Sequence, residues 1–166
     1  MTTKWMIPIA SAVIVLAAAP GCASAQPPAF PDLGPLADVT QSYLETGPRN
    51  SGTIALFSTP DGLHCGLTST SAQCQGPLPG VQNVPISPSG SSQGDCDLGG
   101  AQASDSGGGI NHYKGPCPAA PGVKLLDVGQ KITQGTTACG VLAGGVTACT
   151  TGPHGFVLQP SGSTTF

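Results

Sequence analysis

The sequence predicts a mainly β protein: a small antiparallel sheet stapled by disulfides, with one short helix near its start. Three observations point there. Short β-favouring runs alternate with turns built from Gly and Pro. Two pairs among the seven cysteines sit symmetrically about turn sequences. Gly (25 residues) and Pro (17) are abundant while large apolar side chains are sparse, so cross-links must help offset the entropy lost on folding.

In chain order, Lys4 is followed by apolar residues from Met6 to Ala17, a run too short and too early for a bilayer anchor. Residues 1–25 therefore read as a secretory signal, with Ala23-Ser24-Ala25 as the small-residue cleavage site and Gln26 as the first mature residue. Cys22 has two fates. It leaves with the leader, or Ala19-Pro20-Gly21-Cys22 acts as a lipobox and Cys22 is lipidated; membrane contact is expected in the second case alone. Residues 26–34 form a Pro-rich linker, and a single disulfide-stabilised β domain occupies 35–166. Within it Leu36, Val39, Tyr43 and Leu44 fall at helical spacing between Pro35 and Gly47-Pro48, which predicts the short helix.

Thr53 to Phe57 is a β-favouring run ended by the turn Pro60-Asp61-Gly62. Ser69-Thr70 then lies midway between Cys65 and Cys74, and Gly144 midway between Cys139 and Cys149. A hairpin centred on either point sets its cysteines directly opposite each other, at the separation a disulfide requires. These two pairs are expected first, and Cys96 with Cys117 by elimination, although six cysteines allow fifteen connectivities and strand-to-strand pairs such as Cys65 with Cys139 stay open. The third bridge would close a Gly/Ser-rich loop near 87–110, which lacks apolar content of its own. Further strands are expected at Val123–Val128 running to Lys131-Ile132, at Phe156–Leu158 and at Thr164–Phe166.

The chain carries five basic and eight acidic residues, and Arg49, Lys114, Lys124 and Lys131 are scattered. Nothing resembles the electrostatic footprint of a nucleic-acid binder, and that class is excluded. His64-Cys65 and Asp105-Ser106-Gly107-Gly108 resemble fragments of chymotrypsin-like serine proteases, but about forty residues between His64 and Ser106 cannot hold two packed barrels. Asp95-Cys96-Asp97-Leu98-Gly99-Gly100 resembles the opening of a calcium loop, yet Gly99 takes a ligand position and Ser106 stands where a bidentate Glu is needed. His64, His112 and His154 lack zinc-ligand spacing, and no metal or cofactor is expected. Binding is expected instead on loops: His112 with Tyr113 in the stapled loop, and His154 beside Gly155-Phe156.

The stretch Phe57-Ser58-Thr59-Pro60-Asp61-Gly62-Leu63-His64-Cys65, with Cys74, Leu126–Gly129, Cys139, Cys149 and His154–Leu158, resembles a family of secreted actinobacterial domains. Their landmark is an F-x-S/T-P-x-G-x-x-C turn. The chain departs from that pattern at Ala148 and in the Gly/Ser insertion around Cys96. The resemblance implies export and a cysteine-paired fold and no particular activity. The expected protein is thus a secreted or envelope-located, noncatalytic binding module whose partner is an envelope component or another protein. A serine hydrolase using His64 and Ser106, or a purely structural surface protein, are the alternatives.

Overall fold

A computed structural model describes residues 1, 30–47, 52–91, 94–117 and 122–166, and the leader and Cys22 lie outside the described residues. The strands are β1 (Ala37–Asp38), β2 (Leu44–Thr46), β3 (Thr53–Ser58), β4 (His64–Leu67), β5 (Ser71–Gly76), β6 (Ile86–Ser91) and β7 (Cys96–Ser104). They continue with β8 (Gly107–Gly115), β9 (Gln130–Gln134), β10 (Thr137–Leu142), β11 (Val146–Thr151), β12 (His154–Gln159) and β13 (Gly162–Thr165). Two sheets result, in the orders β1-β9-β10-β11-β12-β13 and β2-β3-β4-β5-β7-β8-β6. Pairing is antiparallel except for β1 on β9 and β6 on β8, so the single antiparallel sheet expected from the sequence is in fact two mixed sheets.

Both symmetric cysteine pairs form as expected. Cys65 pairs in register with Cys74 across β4 and β5, and Cys139 with Cys149 across β10 and β11, each at a Cα separation of 4.1 Å. That is the close approach of a non-hydrogen-bonded ladder position, which brings the two Cβ atoms within bonding reach of their sulfurs. Cys96 and Cys117 form the third bridge. The two hairpins belong to different sheets, and all four of their cysteines are buried in one core with Phe57, Leu63, Leu67, Ile132, Phe156 and Leu158. Strands β10–β12 pack there against β4, β5, β7 and β8, the face-to-face arrangement of a sandwich.

The turn at Pro60-Asp61-Gly62 needs its glycine: Gly62 has φ +80°, and its N–H donates to the Thr59 carbonyl at 3.0 Å.

Three expectations are corrected. The helix over 36–44 does not form; the segment is β1, a 3-10 turn at Thr40–Ser42 and β2. Asp38 accepts from the Thr40 backbone N–H at 3.0 Å and from the Thr133 hydroxyl at 3.0 Å, while the Ala37 and Val39 N–H groups donate to Gly129 and Lys131. Local side-chain capture and pairing with β9 outcompete helical hydrogen bonds here. Val123–Val128 is no strand but touches β3 through a single bridge from Leu125 to Ser58, while Lys131 and Ile132 do lie in β9. The Gly/Ser-rich stretch expected as a loop is largely the long hairpin β7–β8. Small residues suit it: a side chain at Gly99 would place its Cβ 2.7 Å from Val81 Cγ2, so glycine lets the buried Val81 of the 3-10 turn Val81–Asn83 approach the sheet.

The outer face of the six-stranded sheet is covered by the chain itself. Phe30, Leu33 and Leu36 pack on Ala138, Leu142, Val146, Ala148 and Val157, and the Phe30 ring meets Phe166 edge-on at 5.8 Å. Residues 30–34, expected as linker, are thus part of the packed structure, while 26–29 lie outside the described residues.

Candidate binding face

Period-two alternation decides what the outer face of the seven-stranded sheet presents. On β5, Ala72 and Cys74 are buried and Gln73 and Gln75 exposed; on β7, Ala101 and Ala103 are buried and Gln102 exposed. Register then assembles rows across the strands. Gln73 pairs with Gln102 and Gln102 with Gly109; Gln75 pairs with Gly100 and Gly100 with Asn111. Tyr113 stands two residues beyond Asn111 on the same face. These residues, with Ile110, line a cleft of about 400 Å³ to which the described residues contribute no charged side chain. The Asn111 amide lies over Gly100, where a Cβ would run into its Oδ1, whereas a Cβ at Gly109 meets nothing within 4 Å. Gly109 is open floor. Gln73 and Gln75 also border a smaller hollow of about 140 Å³ with Leu56, His64 and Val123, so the face continues toward β3.

Alternation also separates the expected His112–Tyr113 pair. Tyr113 lines the cleft, but His112 points the opposite way and is 5 % exposed. Its Nδ1 lies 2.7 Å from the Val84 carbonyl oxygen and its Nε2 2.9 Å from Asp97 Oδ1. Both partners only accept, so both contacts are hydrogen bonds when the ring is the imidazolium, the form this setting favours. The Val84 carbonyl first and the Asp97 carboxylate second raise its pKa above the ordinary 6.5. Asp97 also accepts from Lys114 Nζ at 2.7 Å; Lys114 and then His112 hold its pKa below 3.8. His112 is a brace between β7, β8 and the chain leading into β6.

A raised folded-state pKa means that the stabilisation from His112 is complete below about pH 6.5 and is lost as pH rises through the higher folded value. For Asp97 the depressed pKa gives stabilisation present above about 3.8 and lost as pH falls through the lower folded value. Urea unfolding of the wild type and of His112→Asn should therefore differ most between those limits and converge as pH climbs toward 9. A gap that stays constant from pH 5 to 9 would show that the imidazolium contributes nothing.

The remaining sequence candidates are dispersed. His154 opens β12 on the other sheet, with Nδ1 3.4 Å from the Phe166 carbonyl oxygen. Ser106 sits at the β7–β8 turn, its Oγ 3.1 Å from that of Ser104. His64 pairs with Gln75 and Gln75 with Gly100, so Ser106, beyond Ser104 on the same hairpin, lies at least roughly 15 Å from His64 by strand spacing and rise. The register does not bring the proposed nucleophile and base together. Asp97, from the calcium-loop resemblance, is taken up by His112 and Lys114, and among the described residues no three His, Cys, Asp or Glu side chains converge. The sequence reading missed the amides; the available signal was Gln73-Cys74-Gln75, where a core cysteine at period two forces both flanking amides outward. No family model, curated protein or solved structure matches this chain.

Proposed function

We propose that the protein is an exported, noncatalytic binding module that engages a component of the cell envelope through the outer face of its seven-stranded sheet. The observation that carries this reading is the uncharged cleft lined by exposed Gln73, Gln75, Gln102 and Asn111 together with Tyr113. Amide groups directed at solvent from a disulfide-braced sheet are preorganised, so little ordering entropy is lost when a ligand arrives. Three disulfides are consistent with life outside the cytoplasm, and the leader and the resemblance to secreted actinobacterial domains support the same reading. Removal of residues 1–25 would take Cys22 with it; a lipidated Cys22 would instead fix the domain to a membrane surface.

The intact mass of the exported protein should correspond to a start at Gln26 with three bridges closed. Folded, oxidised protein should co-sediment saturably with washed envelope fragments of the producing cells. Gly109→Leu, whose Cβ would meet nothing within 4 Å and whose side chain would project onto the open floor, should abolish co-sedimentation and leave the thermal midpoint unchanged. Retention indifferent to this substitution would move the contact off this face and overturn the reading.

A further inference from the structure

The chemistry of the cleft narrows what it takes. We propose that it binds a neutral polysaccharide, whose hydroxyls are read by the amides of Gln73, Gln75, Gln102 and Asn111 and whose sugar ring rests on Tyr113. This inference builds on the binding face proposed above and assigns its ligand.

Each carboxamide offers two N–H donors and a carbonyl acceptor side by side, and each sugar hydroxyl both donates and accepts. Four amides in two adjacent rows therefore match neighbouring hydroxyls on successive sugar units. Among the described residues no Lys, Arg, Asp or Glu lines the cleft, so none of them would compensate the desolvated charge of a uronic acid, a phosphate or a peptide terminus. The phenol of Tyr113 adds an apolar face with a hydroxyl at its tip, fitted to a ring whose flat side is C–H and whose rim is O–H. Length agrees as well. From Leu56 on β3 to Tyr113 on β8 the face crosses four strand spacings, roughly 19 Å, room for a run of several sugars. A peptide fits less well, because peptides add to sheet edges through backbone pairing or seat side chains in apolar pockets, and this is the polar face of interior strands.

The experiment uses the folded, oxidised protein and four soluble probes: a neutral glucan, mannan, galactan and arabinan, with polygalacturonate and a Gln-rich peptide as controls. Titration followed by amide NMR should show saturable binding of at least one neutral chain, with shifts concentrated on β5, β7 and β8. Gly109→Leu should remove the binding while the remaining spectrum stays native; Gln102→Ala and Tyr113→Leu should each weaken it about tenfold, the loss of roughly one good hydrogen bond or ring contact. Failure of all four neutral chains, or tighter binding of either control, overturns the ligand assignment. The assignment and the underlying face fail separately: envelope co-sedimentation blocked by Gly109→Leu but resistant to periodate oxidation of sugar diols and sensitive to protease keeps the face and makes its ligand a protein.

Discussion

Replacing Cys139 and Cys149 together with alanine is expected to lower the unfolding free energy by about 3 to 5 kcal/mol, and the same change at Cys96 and Cys117 by about 3 kcal/mol or less. The order matters more than the values. Cys139 and Cys149 are 10 residues apart and Cys96 and Cys117 are 21, so chain entropy alone makes the longer loop the more valuable bridge. Burial argues the reverse: the Cys139–Cys149 sulfurs are wholly inside the sandwich core among Ile132, Val141 and Phe156, whereas Cys117 is exposed. Losing the inner bridge therefore opens a void as well as a loop. Guanidinium unfolding of the two double variants under non-reducing conditions decides between the two. A larger loss at Cys96 and Cys117 would mean that these bridges act through the unfolded chain and that packing around the core sulfurs matters little.

Phe156→Ala should cost about 3 to 5 kcal/mol, because it removes one of the two largest fully buried side chains from a core with few substitutes. Phe156 stands opposite Cys149 on β11 and Thr165 on β13, so the void would open beside a disulfide that cannot move inward to fill it. Phe156→Leu, which keeps most of the volume, should cost less than half as much. Denaturant midpoints at unchanged slope measure both. A penalty below about 1 kcal/mol for Phe156→Ala would show that the sandwich collapses around the gap, contrary to the rigidity its bridges imply.

The parts of this fold legible from sequence were those governed by short-range constraint. Cys65 and Cys74 flank Ser69-Thr70 evenly, and a two-residue connection leaves their register one solution; a three-residue connection centred on Gly144 does the same for Cys139 and Cys149. What stayed hidden depended on partners distant in sequence. Leu36, Val39, Tyr43 and Leu44 keep helical spacing, but the backbone there is claimed by Gly129 and Lys131, almost a hundred residues away. Cys96 to Gly115 has too few large apolar residues to announce two strands, and becomes a hairpin because β5 offers it an edge. His112 and Tyr113 illustrate the difficulty in the site: adjacent in sequence, they looked like one recognition element until the pleat sent them to opposite faces. Of the four amides, Gln73 and Gln75 were readable as flanks of Cys74, whereas Gln102 and Asn111 joined them only through strand register.

The covering of the six-stranded sheet by Phe30, Leu33 and Leu36 gives the molecule a back and a front. Phe30 and Phe166 both rest on the back, on the side of the sandwich away from Gln73, Gln102 and Tyr113. A surface or label fixed to this back face would therefore leave the amides turned outward like an open palm, free to meet what passes.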